Sequence, residues 1–458
     1  MKGKSVINPY IFREYDIRGV IDKDFTEETL TLIAKGFGTY FKQAGINAIS
    51  IGSDVRISSP MIRNLLVEKI SNAGINVIDI GAVPTPLQYF SMYHLPVEGG
   101  IMITGSHNPP DYNGFKITLK KAPVFGEEIQ KIKSIINYGN FSSGGGSVEQ
   151  ISVLDDYMNH IVNTVQIKRP LNVILDSGNG AAGIVAQPLF KALGVKGIDL
   201  YPEPDGMFPN HHPDPTVVEN IQDLIRSVKE NKADFGVGYD GDGDRIGVVD
   251  ENGQIIWGDK LLMIFCQDIL KKHPGAPIIF EVKCSQALPE MIERYGGTPV
   301  MWKTGHSLLK KKMKELNSPL AGEMSGHLFF ADRYFGFDDA IYASVRLAEL
   351  LSNHDSKLSE LLEDVPLYHA TPEIRAEAES DEAKFIIAGK AKEYFSKKFE
   401  VNDIDGVRIM FGDGWGLVRA SNTQPVIVLR FEARTPDRLE EIQNLVINKL
   451  KEFGDLKI

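Results

Sequence analysis

Cysteine is scarce: the 458 residues hold two. Cys266 sits in the apolar run LLMIFC and Cys284 follows Lys283, so neither has the paired spacing of a zinc site or a disulfide framework. Both are expected as reduced thiols in a cytosol. Long apolar runs are missing too. No stretch approaches the roughly 18 residues a membrane helix needs, and the opening MKGKSVINPYIFREYDIRG lacks the apolar centre of a signal peptide. The expectation is a soluble cytoplasmic protein with no membrane partner. Positive charge is in deficit, 50 basic residues against 61 acidic, and the net charge of -11 has the wrong sign for holding nucleic acid through counterion release. An anionic ligand would therefore need a locally basic pocket. Two catalytic signatures are also absent. A nucleophile elbow at Ser106 would need glycines where Thr104 and Asn108 stand, which disfavours acyl transfer, and no Walker loop occurs.

What is present is enough chain for several domains, since a usual domain has about 100–150 residues. A composition 43% hydrophobic and 24% charged is that of a globular protein. The first part alternates β-branched runs at 48–51, 77–80 and 101–104 with the helix-like MIRNLLVEKISNAG, which is the grammar of a largely parallel sheet covered by helices. The glycine-rich FSSGGG at 141–146 reads as a linker or exposed loop, placing a first boundary near 150. A second unit opens with NVILDSGNGAAG and closes with strands at 235–239 and 246–249, the latter followed by an Asn252-Gly253 hairpin signal. A third repeats the plan with strands at 277–282 and 298–302. Strand starts near 48, 172 and 277 suggest three related α/β domains. The remainder changes character: a helix pattern at 381–399, the strands VRIMF, GLVRA and VIVLRFEA, and a long helix from Asp437 predict a smaller α+β domain with an antiparallel sheet. The predicted domains are 1–150, 151–254, 255–366 and 367–458.

Four loops could carry chemistry. GGIMITGSHNP puts Ser106 on a loop leaving an apolar strand, beside His107 and Asn108. A polar turn whose serine and asparagine cap backbone groups would also explain it. GYDGDGDRIG supplies Asp240, Asp242 and Asp244 at alternate positions, which in extended chain share a face and converge as a hard-oxygen metal site. An EF-hand competes, because Glu251 falls at position twelve from Asp240. Arg245 at position six and the strand-like flanks oppose it. Three acidic ligands leave coordination open, which suits Mg²⁺ completed by a phosphate oxygen. AGEMSGH offers Glu323, Ser325 and His327, groups suited to sugar hydroxyls, although an ordinary loop has the same composition. RASNTQP, between two strands, combines Arg419 with Ser421, Asn422 and Thr423, which can surround a phosphate or merely form a polar hairpin connection.

A rival motif must be set beside these. Gly178, Gly180 and Gly183 satisfy G-x-G-x-x-G after a strand, with Glu203 twenty residues on, as a dinucleotide site requires. Against an NAD-linked oxidoreductase, Asp176 at the strand end would face the pyrophosphate, and close helix packing at Ala182 and Gly183 accounts for the glycines without a ligand. A non-catalytic Ca²⁺-binding module is a third reading.

Taken together and in this order, TGSHNP, DGDGDR, GEMSGH and RASNTQP resemble the four active-site loops of the α-D-phosphohexomutases, and the resemblance runs from FREYDIRG to RASNTQP. It implies four domains around a central cleft, the first three of similar mixed α/β topology, and an isomerase that interconverts hexose 1-phosphate and hexose 6-phosphate. It makes Ser106 the phosphoserine and Asp240, Asp242 and Asp244 the Mg²⁺ ligands, completed by a phosphoserine oxygen. Arg245 neighbours that site. Glu323 and Ser325 would grip sugar hydroxyls, and Arg419, Ser421, Asn422 and Thr423 the phosphate that is not reacting. Tyr15 and Arg18 in REYDIRG, Lys116 in NGFKI, Lys283 in EVKCS and His306 in KTGHS are further matches. The resemblance also implies glucose 1,6-bisphosphate or mannose 1,6-bisphosphate as activator and intermediate, a phosphosugar as the partner molecule, and a monomer. Lys116, His107, His306 and His327 are all candidate proton acceptors. Met324 resembles the enzymes that accept both glucose and mannose, while a phosphoglucosamine mutase is the alternative within the family.

Overall fold

The computed structural model describes residues 7–421 and 426–457, and every structural statement here concerns those residues. The chain divides into two compact units, Met1–Leu261 with Ser325–Leu361, and Leu262–Met324 with Leu362–Ile458.

The first unit holds two sheets. In the first, strands run in the order Ile17–Val20, Tyr112–Leu119, Gly99–Ile103, Ala48–Ser53, Asn76–Ala82 and Val148–Gln150. Gly99–Ile103 is buried at every position, as a strand covered on both faces must be. The helix Glu27–Gln43 starts at Thr26, whose hydroxyl accepts from the Thr29 amide at 3.2 Å, and it buries Leu30, Ile33, Phe37 and Phe41 along one stripe. The glycine-rich segment after the helix Glu127–Tyr138 has no regular structure, as its composition predicts.

The sheet is less parallel than the alternation of runs suggests. Gly99–Ile103, Ala48–Ser53, Asn76–Ala82 and Val148–Gln150 are parallel, but Tyr112–Leu119 lies antiparallel to both Gly99–Ile103 and Ile17–Val20. The cause is length. A parallel return needs a crossover of at least about 10–12 residues, and the link from Ile103 to Tyr112 is shorter, so the chain doubles back. Ser106 sits on that link.

The second sheet has the order Ile255–Ile256, Ile246–Asp250, Phe235–Tyr239, Asn172–Asp176 and Lys196–Leu200. Phe235–Tyr239 pairs antiparallel with Ile246–Asp250 from Phe235↔Asp250 to Tyr239↔Ile246, so residues 240–245 form the tip of a hairpin. Strands on both sides of the aspartates exclude the helix–loop–helix of an EF-hand.

In the second unit, Thr298–Trp302, Pro277–Glu281 and Leu320–Gly322 pair in that order, all parallel. The C-terminal sheet is wholly antiparallel, and the helices Asp381–Ser396 and Pro436–Phe453 pack on it through Ile387, Phe395, Ile442 and Val446. Mixed α/β sheets followed by an antiparallel α+β domain are thus the fold. No helix among the described residues is long and apolar enough to cross a membrane.

Candidate active site

In the first unit, the hairpin tip at 240–245 and the loop after Gly99–Ile103 converge. The Ser106 hydroxyl donates to Asp240 Oδ2 at 3.0 Å and lies 3.1 Å from His107 Nδ1, and the residue is 2% exposed. Its φ is +51°, a left-handed backbone unusual for a side chain other than glycine. The Ser106 amide donates to Thr104 Oγ1 at 2.8 Å. Arg18, on Ile17–Val20, donates to Asn108 Oδ1 at 3.0 Å and to Asp16 Oδ2 at 2.6 Å. Tyr15 is half-buried in the bend before that strand.

Asp240, Asp242 and Asp244 are fully buried, with one oxygen of each within 4.8 Å of the others. Burying three like charges without a cation is costly. Asp240 Oδ1 accepts the amides of Asp244 and Arg245 at 3.0 and 3.1 Å. Asp242 Oδ2 accepts from Thr85 at 2.6 Å, Thr104 at 3.0 Å and Lys116 Nζ at 2.7 Å, and the same ammonium reaches Asp244 Oδ2 at 2.5 Å. Burial and the charges of Asp242 and Asp244 hold the Asp240 carboxyl well above the usual carboxylate range. Burial acts the same way on Asp242 but is outweighed by the Lys116 ammonium, which pulls that carboxyl below it. Burial would lower Lys116 as well, yet Asp242 and Asp244 outweigh it and raise the ammonium well above the ordinary lysine value. Asp242 Oδ1 and Asp244 Oδ1 are buried with no hydrogen-bond partner among the described residues. Two orphaned oxygens in an all-carboxylate cluster fit a hard divalent cation.

His327 joins this cluster, 3% exposed, with Nδ1 3.1 Å from Asp338 Oδ2 and 3.7 Å from Asp244 Oδ1. Its Nε2 accepts from Arg245 Nε at 2.9 Å. Burial, then the charges of Arg245 and Arg18, hold His107 well below the ordinary histidine value, so its ring is neutral near pH 7. The Ile246 amide donates to the Gly326 carbonyl at 3.1 Å, anchoring the second half of the AGEMSGH loop beside the hairpin tip. Half-buried Ser325 belongs to this unit.

The division between units passes through AGEMSGH, so Glu323 lies in the second unit, 4% exposed, accepting the Gly305 amide at 2.6 Å. His306 opens the helix His306–Leu316 directly after Gly305. Lys283 donates to Glu373 Oε2 at 3.1 Å; burial would lower its pKa, but Glu281 and Glu373 raise it. Arg419, at the end of Gly414–Ala420, donates to Asp405 Oδ2 at 2.7 Å and is 7% exposed. The buried Ser421 donates its amide to the Val426 carbonyl at 2.9 Å. Asn422 and Thr423 lie outside the described residues.

A network in this unit fixes the EVKCS loop. Arg408 donates to the carbonyls of Val282 and Cys284 at 2.7 and 2.8 Å and stacks on Trp415, 3.7 Å from the ring centroid. Trp415 Nε1 donates to Glu432 Oε1 at 2.9 Å, and that oxygen also accepts the Gln286 amide at 2.8 Å. Sequence reasoning missed this network, together with Thr85, Thr104, Asp338 and Arg56. Only Arg56 carried a local signal, a charged pair D-x-R at the end of a buried parallel strand, where α/β sheets place ligands.

The glycine motif at 178–183 is not a dinucleotide site. A side chain at Gly183 would stand 2.0 Å from the Pro202 carbonyl oxygen, so the glycine is demanded by packing. Asp176 is engaged by His211 Nε2 at 2.9 Å and by the Gly178 amide at 3.0 Å. The motif also opens the short 3₁₀ turn Ala181–Ile184 in place of the long α-helix whose N-terminus would receive a pyrophosphate.

Comparison with known proteins agrees with the geometry. Family models described as Phosphoglucomutase/phosphomannomutase alpha/beta/alpha domains I, II and III match residues 9–143, 155–253 and 257–368, and the C-terminal domain of the same family matches 372–449. The chain is 47% identical over 441 residues to a phosphomannomutase/phosphoglucomutase of Pseudomonas aeruginosa, covering 96% of this chain and 95% of the relative. It is 44% identical over 438 residues to a phosphoglucomutase of Neisseria gonorrhoeae, covering 95% of each. The crystal structure of a phosphoglucomutase/phosphomannomutase family protein from Burkholderia thailandensis superposes with a TM-score of 0.93 at 42% identity, over 99% of this chain and 100% of that one.

Proposed function

Because the chain belongs to the α-D-phosphohexomutase family and is a hexose phosphate mutase, we propose that it interconverts the 1-phosphates and 6-phosphates of both glucose and mannose through a phosphoserine at Ser106. The observation that carries this reading is the Ser106 hydroxyl bonded to Asp240 inside a buried carboxylate cluster with orphaned oxygens. Phosphoserine gives its phosphoryl group to the free hydroxyl of the monophosphate, forming a 1,6-bisphosphosugar, and after the sugar reorients Ser106 takes back the other phosphoryl group. Phosphoryl transfer passes through a loose transition state, so the residues chiefly position groups and neutralise charge.

Asp240, Asp242 and Asp244 would hold Mg²⁺, which when bound neutralises charge on the transferring group. Arg18, Lys116 and Arg245 supply fixed positive charge around Ser106. We assign proton acceptance from the sugar hydroxyl to His327: Asp338 faces its Nδ1, and at its Nε2 the hydroxyl takes the place of the Arg245 donor. Glu323 and Ser325 bind sugar hydroxyls, Lys283 and His306 assist in the second unit, and Arg419, Ser421, Asn422 and Thr423 hold the non-reacting phosphate. Tyr15 supports Arg18. A loop that contacts hydroxyls shared by epimers discriminates weakly, which favours dual use of glucose and mannose, and the relatives named for one sugar or for both agree with that breadth. In this reading the enzyme works as a cytoplasmic monomer whose four domains, divided near 150, 254 and 366, each contribute one loop.

The test is phosphorus NMR of glucose 1-phosphate and mannose 1-phosphate with the protein, Mg²⁺ and a trace of glucose 1,6-bisphosphate. Both should become 6-phosphates, and Ser106→Ala should convert neither. Turnover by Ser106→Ala would refute the phosphoserine, while conversion of glucosamine 1-phosphate alone would refute the sugar assignment. Light scattering that gave the mass of two chains would refute the monomer.

A further inference from the structure

Arg56 is 1% exposed and hydrogen-bonds to no side chain assigned above to the metal or the sugar, yet every donor of its guanidinium is engaged. Its Nε donates to Asp54 Oδ2 at 3.1 Å. One terminal nitrogen donates to the Ser106 carbonyl at 2.8 Å and the Asn108 carbonyl at 2.6 Å. The other donates to the Pro109 carbonyl at 2.5 Å and the Tyr112 carbonyl at 3.0 Å. An arginine has five N–H donors in a rigid planar fork. All five are spent on one carboxylate and four backbone carbonyls, three in the loop that carries Ser106 and one at Tyr112 where the next strand starts, so none remains for a phosphate.

Asp54 completes the clamp. Its Oδ2 accepts the Gly105 amide at 3.1 Å, and its Oδ1 accepts the Arg56 amide at 3.1 Å and the Ser59 hydroxyl at 2.5 Å. The guanidinium packs against Gly105, where an added Cβ would fall 2.4 Å from Arg56 Cζ. Asp54 and Arg56 follow the strand Ala48–Ser53, which pairs in parallel with Gly99–Ile103, so the clamp and the loop it holds leave the same end of two neighbouring strands. A left-handed serine costs roughly 1–2 kcal/mol and persists only where its surroundings over-determine it. The Arg56 fork supplies that determination by fixing the carbonyls of Ser106 and Asn108 toward a single nitrogen.

We propose that Arg56 is a positioning residue for phosphoryl transfer, holding the Ser106 loop in its left-handed conformation so that the hydroxyl meets the carboxylate cluster. This rests on Ser106 being the phosphoryl carrier. Lysine at 56 keeps the charge beside Asp54 but offers fewer donors and no fork. The loop then loses its orientation, while groups that bind the sugar and the distal phosphate are untouched.

The experiment compares the full-length wild type with Arg56→Lys and Gly105→Ala. It measures thermal unfolding, kcat and KM for glucose 1-phosphate, and by intact mass the rate at which glucose 1,6-bisphosphate phosphorylates Ser106. Expected are a folded Arg56→Lys protein, kcat lower by roughly 10- to 100-fold as for a reacting group misplaced by about 1 Å, KM within about threefold, and a matching slowing of Ser106 phosphorylation. Gly105→Ala, which pushes on the same guanidinium from the loop side, should lose kcat in the same way. A kcat per folded molecule within about twofold of wild type in Arg56→Lys, or a loss confined to KM, overturns the proposal. If neither variant folds, Arg56 is a core residue and the proposal also fails. Ser106→Ala separates the two levels: turnover by that variant would sink the phosphoserine reading itself, whereas an inert Ser106→Ala beside a fully active Arg56→Lys sinks the Arg56 proposal alone.

Discussion

Replacing Lys116 by methionine removes a charge while keeping most of the side chain's volume. Lys116 is 6% exposed and its ammonium is bonded to both Asp242 and Asp244, which are themselves fully buried beside Asp240. Taking one partner from a buried ion pair leaves uncompensated charge in a low-dielectric site and costs about 3–5 kcal/mol. For a unit of this size such a loss lowers the unfolding midpoint by roughly 5–10 °C. The same cluster is the proposed cation site, so a divalent ion can supply the missing positive charge. Calorimetry in EDTA and in Mg²⁺ should therefore show a large drop for Lys116→Met without metal and a larger Mg²⁺-induced recovery in the variant than in wild type, the recovery following the ligand's affinity for the folded state. A midpoint in EDTA equal to that of wild type would refute the view of Lys116 as the cation that makes the metal-free cluster tolerable. An equal gain on adding Mg²⁺ would refute the shared site.

Three further outcomes follow from the geometry. In His211, burial would lower the pKa, but the hydrogen bond and charge of Asp176 raise it, so the pair's contribution is fully present below the unfolded value of about 6.5 and is lost as pH rises through the folded one. His211→Gln should then cost about 1.5–3 kcal/mol in urea unfolding near pH 5.5 and markedly less near pH 8.5; a pH-independent cost would contradict the pairing. The Lys283 charge pulls Glu373 down to about 2 against burial, so its contribution is present above about 4.5 and fades as pH falls toward 2. Allowing for partial exposure, Glu373→Gln should remove on the order of 2 kcal/mol at neutral pH and flatten the acid side of the stability profile, which a titration of the midpoint checks. Trp415→Leu removes the surface on which Arg408 stacks and a donor to buried Glu432. It should cost about 3–5 kcal/mol in urea unfolding and raise KM through the loosened 282–286 loop; stability within about 0.5 kcal/mol of wild type would show that the network is dispensable.

Much of this protein is written locally. Buried parallel strands read as unbroken apolar runs, and a loop reads as the polar, glycine-bearing break between them, so the strands at 172–176 and 277–281 and the loops at Ser106, Asp240 and Glu323 were legible from the chain alone. The alternate spacing of Asp240, Asp242 and Asp244 likewise pointed to a cluster that could hold a cation, but the tip is a turn, with the Gly243 amide donating to the Asp240 carbonyl at 3.0 Å, and not the extended chain in which alternate residues share a face. Contacts between residues far apart in sequence leave no such trace. The antiparallel edge at Tyr112–Leu119 depends on a connection too short to cross over, and the needlessness of a ligand at 178–183 depends on how closely Pro202 approaches Gly183. Lys116 became the cation of the carboxylate cluster because Asp242, 126 residues away, folds against it. Arg56 met the carbonyls of a loop some 50 residues on because two parallel strands end side by side. Composition and periodicity carry short-range information, strand and helix and turn. Which charges neutralise one another, and which backbone groups a guanidinium satisfies, is decided only when packing excludes water and every buried polar group must find its partner.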